Sequence, residues 1–213
     1  MEPSDAVSSR RPLKSRSAGW ARSLANGLAR MGVAPNFISF ASVIFAALGA
    51  AAFVSIPEAN LPAWLGWLAA AVCIQLRLIC NLMDGMVAVE GNRKSPTGEL
   101  WNEVPDRFAD AFLLLGAGLA CAAPWLGVWT TLGALLTAYL RALGAALTGE
   151  QDYGGPMAKP QRMAVLTIAS LLCLADPLWQ GQGEILRIAL WVVLVGLFIT
   201  CWKRLTRLAK KLE

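Results

Sequence analysis

Five side chains able to bind a hard cation or move a proton are crowded between residues 81 and 110: Asn81, Asp84, Asn102, Asp106 and Asp110. On a helix, residues three or four apart leave the same face. Asn81 and Asp84 therefore share a face of one segment. Asn102, Asp106 and Asp110 share a broad face of the next, with the Glu103 carboxylate beside them. Every one of these groups offers oxygen. The chain contains no histidine, which excludes His-based acid–base catalysis and His-ligated metal sites. An oxygen-only ligand set suits Mg²⁺ or Mn²⁺. The five cysteines (Cys73, Cys80, Cys121, Cys173, Cys201) lie in apolar segments without a CxxC pair and read as small hydrophobes.

A second group of residues is cationic. Lys159 and Arg162 follow the small-residue stretch Gly154-Gly155-Pro156, and Arg141 precedes it. Acidic groups holding a metal, with Arg and Lys close by, are what a pyrophosphate requires: metal for the bridging oxygens and cations for the others. The competing reading of Lys159 and Arg162 is a basic loop that marks one side of a membrane and binds nothing.

The elements that must carry these residues are apolar. Of 213 residues, 56% are hydrophobic and 15% are charged; soluble domains have roughly 25% charged residues. The apolar residues gather into segments of about twenty, the length that spans a bilayer core. The segmentation predicts an all-α integral membrane protein with six transmembrane helices, at about 37–56, 62–89, 103–122, 125–147, 163–178 and 186–203. The second is long, and the fifth is short. Arg77, Asp84, Asp106 and Asp110 interrupt the second and third spans. An acid near a bilayer centre costs roughly 2.5–3.5 kcal/mol, so such residues face a bundle interior or an aqueous cavity.

Ahead of the spans, residues 17–34 read as an interfacial amphipathic helix, with Trp20, Leu24, Leu28 and Met31 on one face and Arg22, Asn26 and Arg30 on another. Gly32 and Pro35 end it. Residues 1–16 form a polar, basic tail expected to be disordered, with no signal-peptide core. The membrane domain covers 35–205, and 206–213 is a basic C-terminal tail. Lys and Arg sit in both tails and in the 90–102 and 148–162 loops, and are missing from the alternate connections near 57–61, 123–124 and 179–185. Both termini are therefore expected in the cytoplasm. The net charge of +5 is a topology signal with attraction for anionic lipid and calls for no nucleic acid.

The run Asn81-Leu-Met-Asp84-Gly85-Met-Val-Ala88-Val89, then eight residues, Gly98, three residues, Asn102, three residues, Asp106 resembles the signature D-x2-D-G-x2-A-R-x8-G-x3-D-x3-D of the CDP-alcohol phosphotransferases. Every spacing is kept, and Asp84, Gly85, Ala88, Gly98 and Asp106 match in identity. The six spans and interfacial helix are similar to that family as well. The resemblance implies one or two Mg²⁺ or Mn²⁺ ions on Asn81, Asp84, Asn102 and Asp106, and nucleotide binding near Gly85, Ala88 and Gly98. It implies Asp106 as the base that deprotonates an alcohol. Arg141, Lys159 and Arg162 resemble the family's cations for an acceptor phosphate or lipid headgroup. The implied reaction transfers a phosphatidyl group from a CDP-linked lipid such as CDP-diacylglycerol to a small alcohol and releases CMP, in phospholipid biosynthesis. The implied setting is a bacterial inner membrane with the site facing the cytoplasm, and members commonly pair as homodimers.

Three positions depart from the signature. Asn81 and Asn102 stand where Asp is expected, and Val89 stands where Arg is expected. The site loses two negative charges, which Glu103 and Asp110 are placed to restore; Arg93, Lys94 or Arg77 are placed to replace the Arg. The pattern is similar to a subgroup of bacterial inner-membrane relatives with an Asn-x2-Asp-Gly start and an Asn-Glu-x2-Asp-x3-Asp continuation. Two other readings remain. One is a catalytically silent member that binds nucleotide lipid or a protein partner. The other is a small transporter, disfavoured because no inverted repeat is evident.

Overall fold

The structure, a computed structural model, describes residues 18–58, 62–90, 97–178 and 183–213. The 1–16 tail, and Arg93 and Lys94, lie outside the described residues. The described residues form seven α-helices: α1 Gly19–Arg30, α2 Pro35–Ser55, α3 Ala63–Glu90, α4 Gly98–Ala120, α5 Pro124–Thr148, α6 Lys159–Leu172 and α7 Glu184–Leu212. No strand occurs among the described residues.

Local chemistry sets the boundaries. Pro lies in the first turn of α2, α5 and α6, where its missing N–H costs nothing and its fixed φ is already helical. α5 stops at Gly149, whose φ of 73° is left-handed and which serves as a C-terminal cap. α4 begins at Gly98, earlier than the expected 103, and keeps Pro105 inside the helix. Pro105 has no N–H for the Trp101 carbonyl, so one rung of the helix is missing between Asn102 and Asp106.

α2 packs along both α3 and α4, α5 packs against α4 and α7, and α6 packs between α3 and α7. The buried core joins Phe53, Trp67, Ile74, Leu113, Leu166 and Leu190. The Phe53 and Trp67 rings meet edge to face at 6.2 Å, a favoured aromatic arrangement. Close helix contact depends on glycine. A Cβ on Gly118 would lie 2.7 Å from the Cα of Gly127, and one on Gly116 would lie 2.8 Å from the Cα of Ala50.

The outer surface carries many large apolar side chains: Phe40, Leu48, Trp129, Leu136, Trp191 and Phe198 are all exposed. Among the described residues, four helices are long and apolar enough to cross a membrane, over Pro35–Ser55, Ala63–Val89, Pro124–Thr148 and Glu184–Leu212. The other two expected spans differ. α4 carries Glu103, Asp106, Arg107 and Asp110 within its length. The expected fifth span, 163–178, is the 14-residue α6 from Lys159 followed by a 3-10 segment, Cys173–Leu178. The basic C-terminal residues continue α7 to Leu212 instead of forming a separate tail. α1 buries Ala21 and Ala25 against α3, whereas Trp20, Leu24 and Met31 stay exposed.

Candidate active site

A cavity of about 450 Å³ opens among α1, α3, α4, α5, α6 and α7. Its walls differ in chemistry. α3 contributes Asn81, Asp84 and Gly85, and α4 contributes Asn102, Glu103 and Asp106. Arg141 of α5, Lys159 and Arg162 of α6 and Arg204 of α7 line it as well. The helix periodicity brings the acids and amides together as expected, although the α3 and α4 backbones seldom approach each other. Side chains bridge them: Asn81 Nδ2 donates to Asp106 Oδ1 at 2.9 Å and to Asn102 Oδ1 at 3.4 Å.

Asp84 and Asp106 are nearly buried, at 4% and 5% exposure. Asp84 accepts from the Ser39 hydroxyl of α2 at 2.8 Å and from the Gly85 backbone N–H, which fixes its carboxylate plane. Asp106 is surrounded by donors. Beside Asn81, it meets Arg77 Nη2 at 3.4 Å, and Lys159 Nζ donates to both Asp106 Oδ2 and Asn81 Oδ1.

The remaining acids are committed to cations. Asp110 lies behind the cavity wall, where it accepts from Arg77 Nη2 at 2.7 Å and from Arg162 Nη2 at 2.6 Å. Arg162 also donates to the Met157 carbonyl at 3.1 Å. Glu103 accepts from Arg141 and, at 3.2 Å, from Arg107. Neither of the two acids expected to restore charge presents an unengaged carboxylate. Their helical register was right, but an i, i+4 step on α4 moves a group about 6 Å along the axis, and this step carries Asp110 from the cavity to the arginines beneath it.

Arg77 and Arg162 are completely or almost completely buried, and Arg77 Nε, Arg77 Nη1 and Arg162 Nε have no hydrogen-bond partner. Gly85 lines the cavity; Ala88 and Gly98 do not. Val89 is half exposed and also outside the lining, so Arg77 is the guanidinium of α3 that reaches the acidic side chains.

Sequence reasoning did not find Ser39, Gln151, Tyr153 or Arg204. Ser39 is one of three serines in an otherwise apolar run, with nothing in the sequence to set it apart from Ser42 or Ser55. Tyr153 and Gln151 belong to the loop after α5, where Arg141 donates to Gln151 at 3.2 Å and lies 5.4 Å from the Tyr153 ring centre. Arg204 reads as one more basic residue of the C-terminal region, yet it is buried, donating to the carbonyls of Gly154 at 3.0 Å and Thr137 at 2.5 Å. A buried Arg within a basic run has no periodic signature that distinguishes it.

Residues 32–202 match the family model for CDP-alcohol phosphatidyltransferase. The chain is 30% identical to the archaetidylinositol phosphate synthase of Aeropyrum pernix, with 91% of this chain and 92% of that protein covered. It is 26% identical to the inner membrane protein YnbA of Escherichia coli, over 54% of this chain and 58% of that one. Among solved structures, the Mycobacterium tuberculosis phosphatidylinositol phosphate synthase with CDP-DAG bound superimposes with a TM-score of 0.74 at 20% identity, covering 90% of this chain and 94% of that one. The same enzyme in complex with manganese and citrate gives 0.73 at 19% identity, covering 88% of each chain. With the signature spacing kept across α3 and α4, the family model covering most of the chain and the fold shared, the chain belongs to the CDP-alcohol phosphatidyltransferase family, the membrane transferases of phospholipid biosynthesis.

Proposed function

We propose that this enzyme transfers the phosphatidyl group of CDP-diacylglycerol to a small phosphorylated alcohol and releases CMP. The observation that carries this reading is the two-sided cavity, with Asp84 and Asp106 on one wall and Arg141, Lys159 and Arg162 on the other. A phosphorylated acceptor brings a dianion that the cationic wall can hold. The relatives named as inositol phosphate synthases make inositol phosphate the first acceptor to try. In this reading the six helices α2–α7 cross a bacterial inner membrane, α1 lies in its interface, and both termini and the cavity face the cytoplasm.

The donor set fits a hard divalent ion: two carboxylates, Asp84 and Asp106, with amide oxygens from Asn81 and Asn102, and no sulfur or imidazole. Lys159 Nζ meets two of these oxygens, Asp106 Oδ2 and Asn81 Oδ1, which supports a cation position between α3 and α4. When bound, Mg²⁺ or Mn²⁺ supplies charge stabilisation at the phosphoryl oxygens. Asp84, Asp106 and the two amides would hold it, and Ser39 keeps Asp84 oriented. Asp106 accepts the proton of the acceptor hydroxyl. The acceptor oxygen forms a bond to the lipid-side phosphorus, the bond from that phosphorus to the CMP oxygen breaks, and CMP leaves. Arg141, Lys159 and Arg162 bind the acceptor phosphate or the departing phosphate.

Purified protein in lipid should release CMP from CDP-diacylglycerol with Mg²⁺ or Mn²⁺ in the presence of inositol phosphate or glycerol phosphate. Asp84→Ala and Asp106→Ala should each lower that rate by about 100-fold or more. Absence of CMP release with these acceptors, and with serine, inositol, choline and ethanolamine, would sink the reading.

A catalytically silent member is the second reading. It is favoured by the saturation of Asp106 by Asn81, Arg77 and Lys159. Turnover that appears only in the N81D/N102D double variant would support it.

A further inference from the structure

We propose that Lys159 is a fixed cation of the catalytic site, occupying a position a second metal would otherwise take, so that each chain binds one divalent ion and not two. The proposal rests on the transferase reading above, but its test counts metal ions and does not depend on turnover.

The charges on the acidic wall support one ion only. Of the four oxygen-bearing positions facing the cavity, Asn81 and Asn102 are neutral amides. The acids that would make up the loss are already neutralised: Asp110 by Arg77 and Arg162, and Glu103 by Arg141 and Arg107. Asp84 and Asp106 are left, and Asp106 has Arg77 beside it at 3.4 Å and Lys159 in direct contact. A pair of divalent ions would set four positive charges against two negative ones, beside two resident cations, so that like charges repel. One divalent ion alone matches the two carboxylates, and the Lys159 ammonium is left as positive charge for a diphosphate.

The ammonium is also held in place by the fold. Lys159 is the first residue of α6, with Pro160 setting the helix start. The preceding loop is tied to α7: Met157 N–H donates to Thr200 Oγ1 at 3.0 Å, and Arg204 Nε donates to the Gly154 carbonyl at 3.0 Å. Lys159 Nζ bridges Asn81 Oδ1 and Asp106 Oδ2 across α3 and α4, as a coordinated cation would. The amide at 81 fits this role. Its oxygen takes the ammonium while its nitrogen faces Asn102 and Asp106, which an Asp could do only by turning lone pairs toward other oxygens.

The test is a Mn²⁺ titration of the full chain in nanodiscs, reading free Mn²⁺ by electron paramagnetic resonance. The wild type should bind one Mn²⁺ per chain. Lys159→Gln should still bind Mn²⁺, tighter by about tenfold because a like charge has been removed from Asp106, while CMP release slows. The triple variant N81D/N102D/K159Q should bind two. Two ions in the wild type, none in the wild type, or weaker binding in Lys159→Gln would each overturn the proposal. The wild-type count stands even if a variant fails to fold. One ion without CMP release would instead count against the transferase reading and leave this proposal intact.

Discussion

At the scale of single residues, the acids of α3 and α4 divide by their partners. Asp84 and Asp106 face the cavity, whereas Asp110 is a counter-ion between Arg77 and Arg162. Substitutions should therefore differ in kind. Asp110→Ala leaves the buried Arg162 without its anion and Arg77 with only its longer contact to Asp106, and breaking a buried pair in this way costs about 3–5 kcal/mol. The expected outcome is a large loss of thermal stability in detergent. Asp84→Ala should keep the wild-type melting profile and lose activity. A D110A protein that melts like wild type would show that Asp110 does not hold the arginines in place. The sequence made both acids legible as site candidates through their spacing. It could not separate them, because their surroundings are supplied by Arg77 and Arg162, 33 and 52 residues away along the chain.

At the scale of elements, the bundle is positioned by small residues where backbones nearly touch. Gly118 and Gly127, near the α4–α5 turn, leave no room for a side chain. Gly118→Ala should destabilise the fold by about 1–3 kcal/mol, the usual cost of overpacking. Gly27→Ala on α1, where nothing lies within 4 Å, should be neutral or gain up to about 1 kcal/mol from helix propensity. Unfolding curves of the two variants in the same detergent check both. The segment boundaries were largely readable from hydropathy and from the positions of Pro and Gly, since these act locally. The break of the fifth expected span into α6 and a 3-10 segment was not. Thr167, Ser170 and Asp176-Pro177 interrupt its apolar residues, but the change to a 3-10 segment at Cys173, where the chain packs on α3, leaves no mark in hydropathy.

At the scale of the whole molecule, the apolar exterior and the charged cavity make this an inside-out protein suited to lipid. The asymmetry of Lys and Arg gives the orientation to test: a Cys introduced as Glu213→Cys should react with an impermeant maleimide only from the cytoplasmic face of sealed vesicles. Labelling from the opposite face would reverse the topology. The family and its helical architecture were open to reading because a 26-residue signature keeps its spacing across a loop. The mutual pairing of the charges was not, because ion pairs between distant helices leave no periodic trace in a single sequence.

The loop before Lys159 is strapped along the end of α7 by a ladder of contacts: Thr200 to Met157, Arg204 to Gly154, Arg207 to Asp152 at 3.2 Å and Lys211 to Glu150 at 2.6 Å. α7 is thus a tie rod whose end lies against the loop that precedes Lys159. The apolar part of α7, residues 186–203, is close to the roughly 20 residues needed to cross a bilayer, so its tilt responds when the surrounding lipid is thinner or thicker than that length. Changing that tilt moves the ladder, and with it the ammonium on Asp106. Turnover in bilayers of 14-, 18- and 22-carbon phosphatidylcholines should therefore pass through a maximum, varying by roughly threefold or more, and Arg204→Met should flatten the profile. Through this coupling, an enzyme that makes membrane lipid would also gauge the thickness of the membrane it builds.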